Sequence, residues 1–175
     1  MEKMRIAIDM DDVMADTSEA IVQIYNEAFG TLHSKNDFLT DLRWADHHEN
    51  YQKVRHQLFE PGFFRNIPVM EGAQEVVKAL HDRYELFVVS AAMEFPNSLK
   101  DKYDWLEEHF PYIHWKNIVF CGDKSIVRAH VIIDDHEKNL IDFEGRAMMF
   151  NAMHNLEIEG YERVMNWQEV GERLL

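Results

Sequence analysis

The sequence predicts an α/β fold in which a parallel sheet is covered by helices on both faces. Three observations carry that prediction. Short apolar runs of strand length recur along the chain: Ile6-Ala7-Ile8, Leu86-Phe87-Val88-Val89, then residues 118–121, 131–134 and 147–150. Amphipathic stretches with helical spacing separate them. Several of the runs end abruptly in polar or acidic residues. Strands alternating with helices imply parallel neighbours joined by crossovers, and in such sheets ligands bind outside the carboxyl ends of the strands. A length of 175 residues suits one domain with a small insertion, and the 46% apolar fraction is enough for a real core.

The elements follow in order. Residues 5–9 read as a buried strand that stops at an acidic cluster. Residues 17–29 read as a helix with Ile21, Ile24, Tyr25 and Ala28 on one face. Asp16 caps it, Glu19 is the return partner of a capping box, and Gly30 ends it. Residues 31–68 differ in kind, being rich in His, Asn, Asp and aromatics without a buried strand. Helical pieces are expected over 39–44 and 50–59, and Pro61-Gly62 and Pro68 punctuate the exit. The alternation then resumes. A helix over 72–81 turns Val76, Val77 and Leu80 inward, and a strand covers 85–90. A helix over 99–110 stops at Pro111, and a strand covers 118–121. A short helix covers 124–129, strands cover 131–134 and 147–150, and a helix over 167–174 closes the chain.

Composition excludes several classes. Eighteen Lys and Arg against 32 Asp and Glu leave a net charge of −14, which argues against a nucleic-acid polymer as partner. An anionic small molecule remains compatible, because a metal or a local cation reverses the field at a site. The lone cysteine, Cys121, rules out an intramolecular disulfide and a cysteine metal framework, and reads as a small residue at a strand end. No apolar run reaches membrane-spanning length, and the first residues lead straight into a strand without a signal-peptide pattern. A cytoplasmic protein without a membrane partner is expected.

Four polar features fall at or just beyond the strand ends: Asp9-Met10-Asp11-Asp12, Ser90, Lys124 and Asp134-Asp135. Each is commonplace alone. A parallel sheet brings all four to one edge, where the carboxylates would repel one another without a cation. Lys124 supplies one positive charge, and a divalent ion would supply the rest. Oxygen donors of this kind suit Mg²⁺. Zinc is disfavoured because no His or Cys cluster has suitable spacing in the sequence. His47 and His48 are adjacent, do not share a helical face, and read as solvated loop residues.

In order and placement, Asp9-Met10-Asp11, Ser90, Lys124 and Asp134-Asp135 resemble the four motifs of the haloacid-dehalogenase-like (HAD) superfamily. Within it the chain resembles the 5′(3′)-deoxyribonucleotidases. That likeness rests on residues 8–16, Gly62-Phe63-Phe64, residues 102–106, Asp123-Lys124-Ser125 and residues 132–135. The resemblance implies a HAD-like Rossmannoid three-layer fold with a central parallel sheet and a small helical cap inserted after the first strand. The catalytic core would comprise 1–15 and 70–175, and the cap 16–69.

The implied activity is Mg²⁺-dependent dephosphorylation of deoxyribonucleoside 5′(3′)-monophosphates through an aspartyl-phosphate. Asp9 would be the nucleophile. Asp11 would be general acid and then general base, with its backbone carbonyl on the metal. Ser90 would donate to a phosphoryl oxygen and Lys124 would offset charge. Asp135 is the chosen metal ligand beside Asp9 and Asp11, with Asp134 holding the lysine or a metal-bound water; the reverse assignment of the pair stays open. In the family, cap aromatics stack on the base. Trp44, Phe64 and Thr17 are the substrate-side candidates here, with Phe59 and Phe63 behind them and the Ala91 backbone N–H as a phosphate donor. A homodimer is also implied, although no stretch marks an interface.

Two departures stand out. Asp12 replaces a frequent glycine and is expected to point to solvent, and Ala91-Ala92 replaces a hydroxyl and a proline of animal relatives. The alternatives are a phosphatase for another small monoester such as a sugar phosphate, or a silent nucleotide-binding module. A receiver-type phosphoacceptor is disfavoured, because its acidic pair follows the first strand rather than a late one.

Overall fold

The computed structural model describes residues 3–175, so the first two residues of the expected 1–15 segment lie outside the described residues. Six parallel strands form one sheet: β1 Arg5–Ile8, β2 Glu85–Ser90, β3 Ile118–Phe120, β4 Val131–Asp134, β5 Arg146–Phe150 and β6 Glu162–Val164. Their order is β3-β2-β1-β4-β5-β6. The chain winds outward from β1 through β2 to β3, then returns to β4 on the other side. That reversal makes the β1/β4 boundary a topological switch point, where a crevice opens at the carboxyl ends. Ile8 is registered against Val88 on one side and Ile133 on the other. The residues that follow β1, β2 and β4 are thus brought together by backbone pairing.

Side chains alternate across the sheet with a period of two. Ile6, Ile8, Val88 and Ile133 pack on one face against Val77, Leu80, Trp105 and Trp167. Ala7, Val89, Ile132 and Met149 pack on the other face with Leu140. Both buried indoles are satisfied: Trp105 Nε1 donates to the Ile67 carbonyl and Trp167 Nε1 to that of Val13, each at 2.7 Å. These bonds pin the chain at 13 and 67 against the sheet layer.

Seven α-helices complete the fold: α1 Thr17–Phe29, α2 Lys35–Thr40, α3 Trp44–Val54, α4 Ala73–Arg83, α5 Ser98–His109, α6 Glu137–Leu140 and α7 Trp167–Leu174. Between β1 and β2 the regular elements are all helical, joined by short loops. Ile21, Val22, Phe38, Trp44 and Leu58 form a separate apolar cluster there, joined by Met153 from beyond β5. Among the described residues, no helix is long and apolar enough to cross a membrane.

Local expectations fail in five places, each for a physical reason. The short helix expected over 124–129 is a single 3₁₀ turn, Lys124–Ile126, started by Asp123 accepting from Ser125 N. The stretch 39–44 is not a helix; α2 starts earlier, where Ser34 and Asp37 form a reciprocal capping box. The stretch 50–59 is split, with α3 running to Val54 and a tighter 3₁₀ turn taking over Arg55–Phe59. Asp16 caps α1 by accepting from Glu19 N, but its own amide is taken by the Pro68 carbonyl at 2.8 Å. Glu19 therefore closes no box. Strand β6 has one apolar residue in three and no apolar run to reveal it; Arg146 stitches it to β5 through a two-pronged ion pair with Glu162.

Candidate active site

Asp9 is the first residue beyond β1, and its N–H continues the ladder by donating to the Ile133 carbonyl at 2.9 Å. Its side chain cannot drift, because Oδ1 accepts from Met10 N at 2.7 Å and lies 2.7 Å from Lys124 Nζ. Lys124, only 4% exposed, reaches Asp134 Oδ2 at the same distance. Burial opposes its charge, but the Asp9 and Asp134 carboxylates outweigh that and hold the ammonium above its ordinary pKa. At Asp9, by contrast, burial dominates. Despite Lys124, and with Asp134, Asp135 and Asp11 adding repulsion, its carboxyl is raised well above the usual range.

Asp11 faces a different set of partners. Thr17 Oγ1 donates to Oδ1 at 3.2 Å, Ser90 Oγ lies 3.5 Å from Oδ2, and the Lys102 ammonium bonds the same oxygen. Lys102 also reaches Ser90 Oγ at 3.1 Å and sits 4.5 Å over the Phe64 ring. It is 1% exposed. Lys102 opens the 102–106 stretch that carries the family likeness, but sequence reasoning gave it no place in the site. A signal was available: Lys102 shares the α5 face of the buried Ser98, Trp105 and Leu106, where a lysine needs a carboxylate to meet.

The acidic pair after β4 divides its duties. Asp134 is engaged through both oxygens, with Oδ1 accepting from His136 N and Asn139 Nδ2 at 2.9 Å and Oδ2 from Lys124. Asp135 Oδ1 is buried and has no hydrogen-bond partner among the described residues. Its Oδ2 lies 3.0 Å from His154 Nε2 and 3.7 Å from His136 Nε2. Burial alone would raise the Asp135 carboxyl, but His154, His136 and Lys124 hold it below the usual carboxylate range. Burial likewise opposes the charged form of His154, yet Asp135 and then Asp12 raise that imidazole to about 9. Asn155 anchors the Asp135 carbonyl at 2.8 Å and is itself gripped by Arg163 at 2.7 Å.

Asp12 does not point to solvent. It is 7% exposed and accepts from Ser18 N at 2.5 Å and Ser18 Oγ at 2.7 Å, which ties the loop to the first turn of α1. Its φ of 53° lies in the left-handed region that asparagine, aspartate and glycine tolerate best. Burial, followed by repulsion from Asp135, pushes its carboxyl up to about 7 against the opposing His154 and Ser18 contacts.

These groups surround a cavity of about 300 Å³, within the range of small-ligand sites. Asp9, Asp11, Lys102, Lys124 and Asp135 line its floor, and Thr17, Trp44, Phe64 and Ala91 also line it. Ser90 is fully buried behind Lys102 and does not line the cavity. Phe59 packs on Phe95 and Phe63 on Phe64, both away from the wall. His47 and His48 lie on α3 rather than in a loop: His47 meets the Tyr25 hydroxyl at 3.1 Å and His48 borders the cavity. Carboxyl oxygens of Asp9, Asp134 and Asp135 lie within 4.8 Å of one another. This all-oxygen group, with one orphaned buried oxygen, suits a hard divalent cation.

Comparison with known proteins agrees with this architecture. A 5′(3′)-deoxyribonucleotidase of Bacillus subtilis is 41% identical over 173 residues, covering 97% of this chain and 98% of that protein. A Staphylococcus epidermidis protein provisionally given the same name is 45% identical, covering 97% and 95%. Among solved structures, a HAD-superfamily hydrolase from Ehrlichia chaffeensis superposes with a TM-score of 0.62 at 12% identity, over 99% of this chain and 97% of that one. A Bacillus subtilis structure described as a HAD-hydrolase bound to magnesium gives 0.56 at 12% identity, over 99% of both. At that identity, the two structures establish the fold alone. The family model of the 5′ nucleotidase, deoxy (pyrimidine), cytosolic type C proteins matches residues 3–175. The chain belongs to that family.

Proposed function

We propose that this protein is a cytoplasmic, Mg²⁺-dependent phosphomonoesterase that dephosphorylates deoxyribonucleoside 5′(3′)-monophosphates through an aspartyl-phosphate on Asp9. The observation that carries the reading is the pairing on the cavity floor. Two buried lysines, Lys124 and Lys102, each engage one of the carboxylates Asp9 and Asp11. A protein of net charge −14 thus presents cations where a phosphate dianion would enter.

Mg²⁺ fits the oxygen donors of Asp9 and Asp135 and the Asp11 carbonyl, and would supply charge neutralisation to carboxylates and phosphoryl group alike. Asp135 is favoured over Asp134 because both Asp134 oxygens already accept hydrogen bonds, from three donors in all, whereas Asp135 Oδ1 is unpartnered.

The chain's own groups act in two steps. An Asp9 oxygen attacks phosphorus, and the bond from phosphorus to the sugar oxygen breaks as Asp11 hands that oxygen a proton. Asp11 then takes a proton from water, whose oxygen attacks phosphorus and releases inorganic phosphate and free Asp9. Lys102 moves its ammonium from Asp11 to a phosphoryl oxygen, which frees Asp11 to carry the proton. That movement also opens Ser90, buried behind Lys102, so that its hydroxyl can donate to a phosphoryl oxygen in place of Asp11. The Ala91 N–H serves beside it. Residues 16–69 act as the cap, with Trp44 offering a face to the base and Thr17 orienting Asp11.

Phosphate release from deoxy- and ribonucleoside 5′- and 3′-monophosphates and from sugar phosphates, with Mg²⁺ or chelator, tests the reading. Mg²⁺-dependent turnover confined to deoxynucleotides is expected. Preference for sugar phosphates would overturn the substrate assignment, and turnover retained in Asp9→Asn would overturn the nucleophile.

A further inference from the structure

The mechanism above leaves two imidazoles at the cavity edge without a task. His136 and His154 are stacked, with ring centroids 4.2 Å apart and planes 21° apart. Both present Nε2 to one oxygen, Oδ2 of Asp135, at 3.7 and 3.0 Å. The nearer contact is short, yet Nε2 of His154 is buried and carries no hydrogen bond. Asp135, 2% exposed, leaves its other oxygen unpartnered too. Two imidazole nitrogens and a carboxylate oxygen thus converge within 4.8 Å.

We propose that Asp135, His136 and His154 form a binding site for a divalent transition-metal ion of the zinc type, separate from the all-oxygen group assigned to magnesium and sharing only Asp135 with it. Donors held at about 2.0–2.2 Å by a four- to six-coordinate ion stand roughly 3.0–3.5 Å apart. The observed 3.0 and 3.7 Å bracket that spacing. Cis ligands near a right angle also explain a short N···O separation without a hydrogen bond. Imidazole nitrogen with one carboxylate selects zinc, cobalt or nickel over magnesium. The backbone is already stiff at both ends. Asn155 holds the Asp135 carbonyl, and it also accepts from Ala152 N at 3.1 Å, beside the loop that carries His154. Asp134 holds His136 N at 2.9 Å.

The sequence hid this site because His154 lies far along the chain from Asp135-His136, beyond β5. Only the β4–β5 pairing brings them together.

The test is direct binding to the full chain after removal of metal, with millimolar Mg²⁺ present throughout. Zn²⁺ is titrated against a chromophoric chelator, and Co²⁺ is followed by its visible ligand-field bands. One equivalent is expected to bind at micromolar Kd or tighter. Each of His136→Gln and His154→Gln is expected to weaken binding at least tenfold and to shift the Co²⁺ bands. His136 is half-exposed, so its variant tests the site without straining the core. For both variants the loss of the Zn²⁺-induced rise in thermal midpoint reports the same site on folded protein. Asp9→Asn is expected to keep Zn²⁺ binding within threefold. Unchanged affinity in the double histidine variant overturns the site. So does binding abolished by Asp9→Asn, which would put the ion among the carboxylates and leave the phosphatase reading intact. Conversely, absence of phosphatase activity with zinc binding retained would overturn that reading alone.

Discussion

Lys102 joins the chemistry to the core, because one ammonium bonds Asp11 and Ser90 and sits over the Phe64 ring. Replacing it with Met keeps the stem's volume and removes the charge. Asp11 is only partly buried and can turn to water, so the fold is expected to survive. Turnover should fall by about 10²–10³, the usual cost of losing one preorganised donor to a developing charge. Circular dichroism alongside steady-state kinetics checks both halves. Asp12 makes a contrasting prediction. Asp12→Ala loses two Ser18 contacts and keeps a side chain at φ 53°, and should cost about 1–3 kcal/mol. Asp12→Gly loses the same contacts but relieves the backbone, so it should be milder. Equal, negligible shifts in denaturant midpoint would mean that the Asp12 carboxylate holds nothing.

At the scale of elements, the β5 edge is sensitive in two ways. Gly145 precedes β5 where an added Cβ would stand 2.6 Å from the His130 carbonyl oxygen. The obstacle is backbone, which cannot swing aside. Gly145→Ala should therefore destabilise by about 1–3 kcal/mol, read as a lowered thermal midpoint. The Arg146–Glu162 pair then fastens β6. Its hydrogen bonds hold Glu162 below its ordinary pKa, despite a smaller opposing effect of burial. A depressed folded pKa contributes stability above the unfolded value near 4.5, lost as pH falls through the folded one. The pair is about one-third exposed, so its worth is limited to about 0.2–1 kcal/mol. Glu162→Gln should lower stability at pH 7 by that much and match the parent once pH has fallen below the folded pKa of Glu162, as paired urea melts would show.

For the whole molecule, the decisive relation is that between the helical insertion and the sheet edge. Trp44 borders the cavity and also packs on Phe38 and Tyr51 at 5.8 and 5.0 Å. Trp44→Phe keeps an aromatic in the insertion's cluster and shortens the face offered to a base. It should raise KM for deoxynucleotides about tenfold, equivalent to about 1.4 kcal/mol, while kcat/KM for a small aryl phosphate stays within about threefold. Comparable losses on both substrates would mean that Trp44 supports the fold alone. Met153 ties the same cluster to the β5 side, so insertion and core share apolar surface.

Apolar runs and abrupt polar stops determined the parallel sheet, the bounds of β2, β4, α1 and α7, and the gathering of Asp9, Asp11, Lys124 and Asp135, because those signals are local and a parallel sheet aligns its strand ends. Other features needed the folded chain. Strand β6 lacks an apolar run, and its place follows from pairing with β5. Lys102 became a site residue because α5 lays its buried face over the cavity floor. Asp12 turned inward because the left-handed backbone aims it at Ser18. His154 met Asp135 because β5 lies beside β4. Each of these depends on contacts between residues distant in sequence, whose proximity no local propensity or spacing encodes.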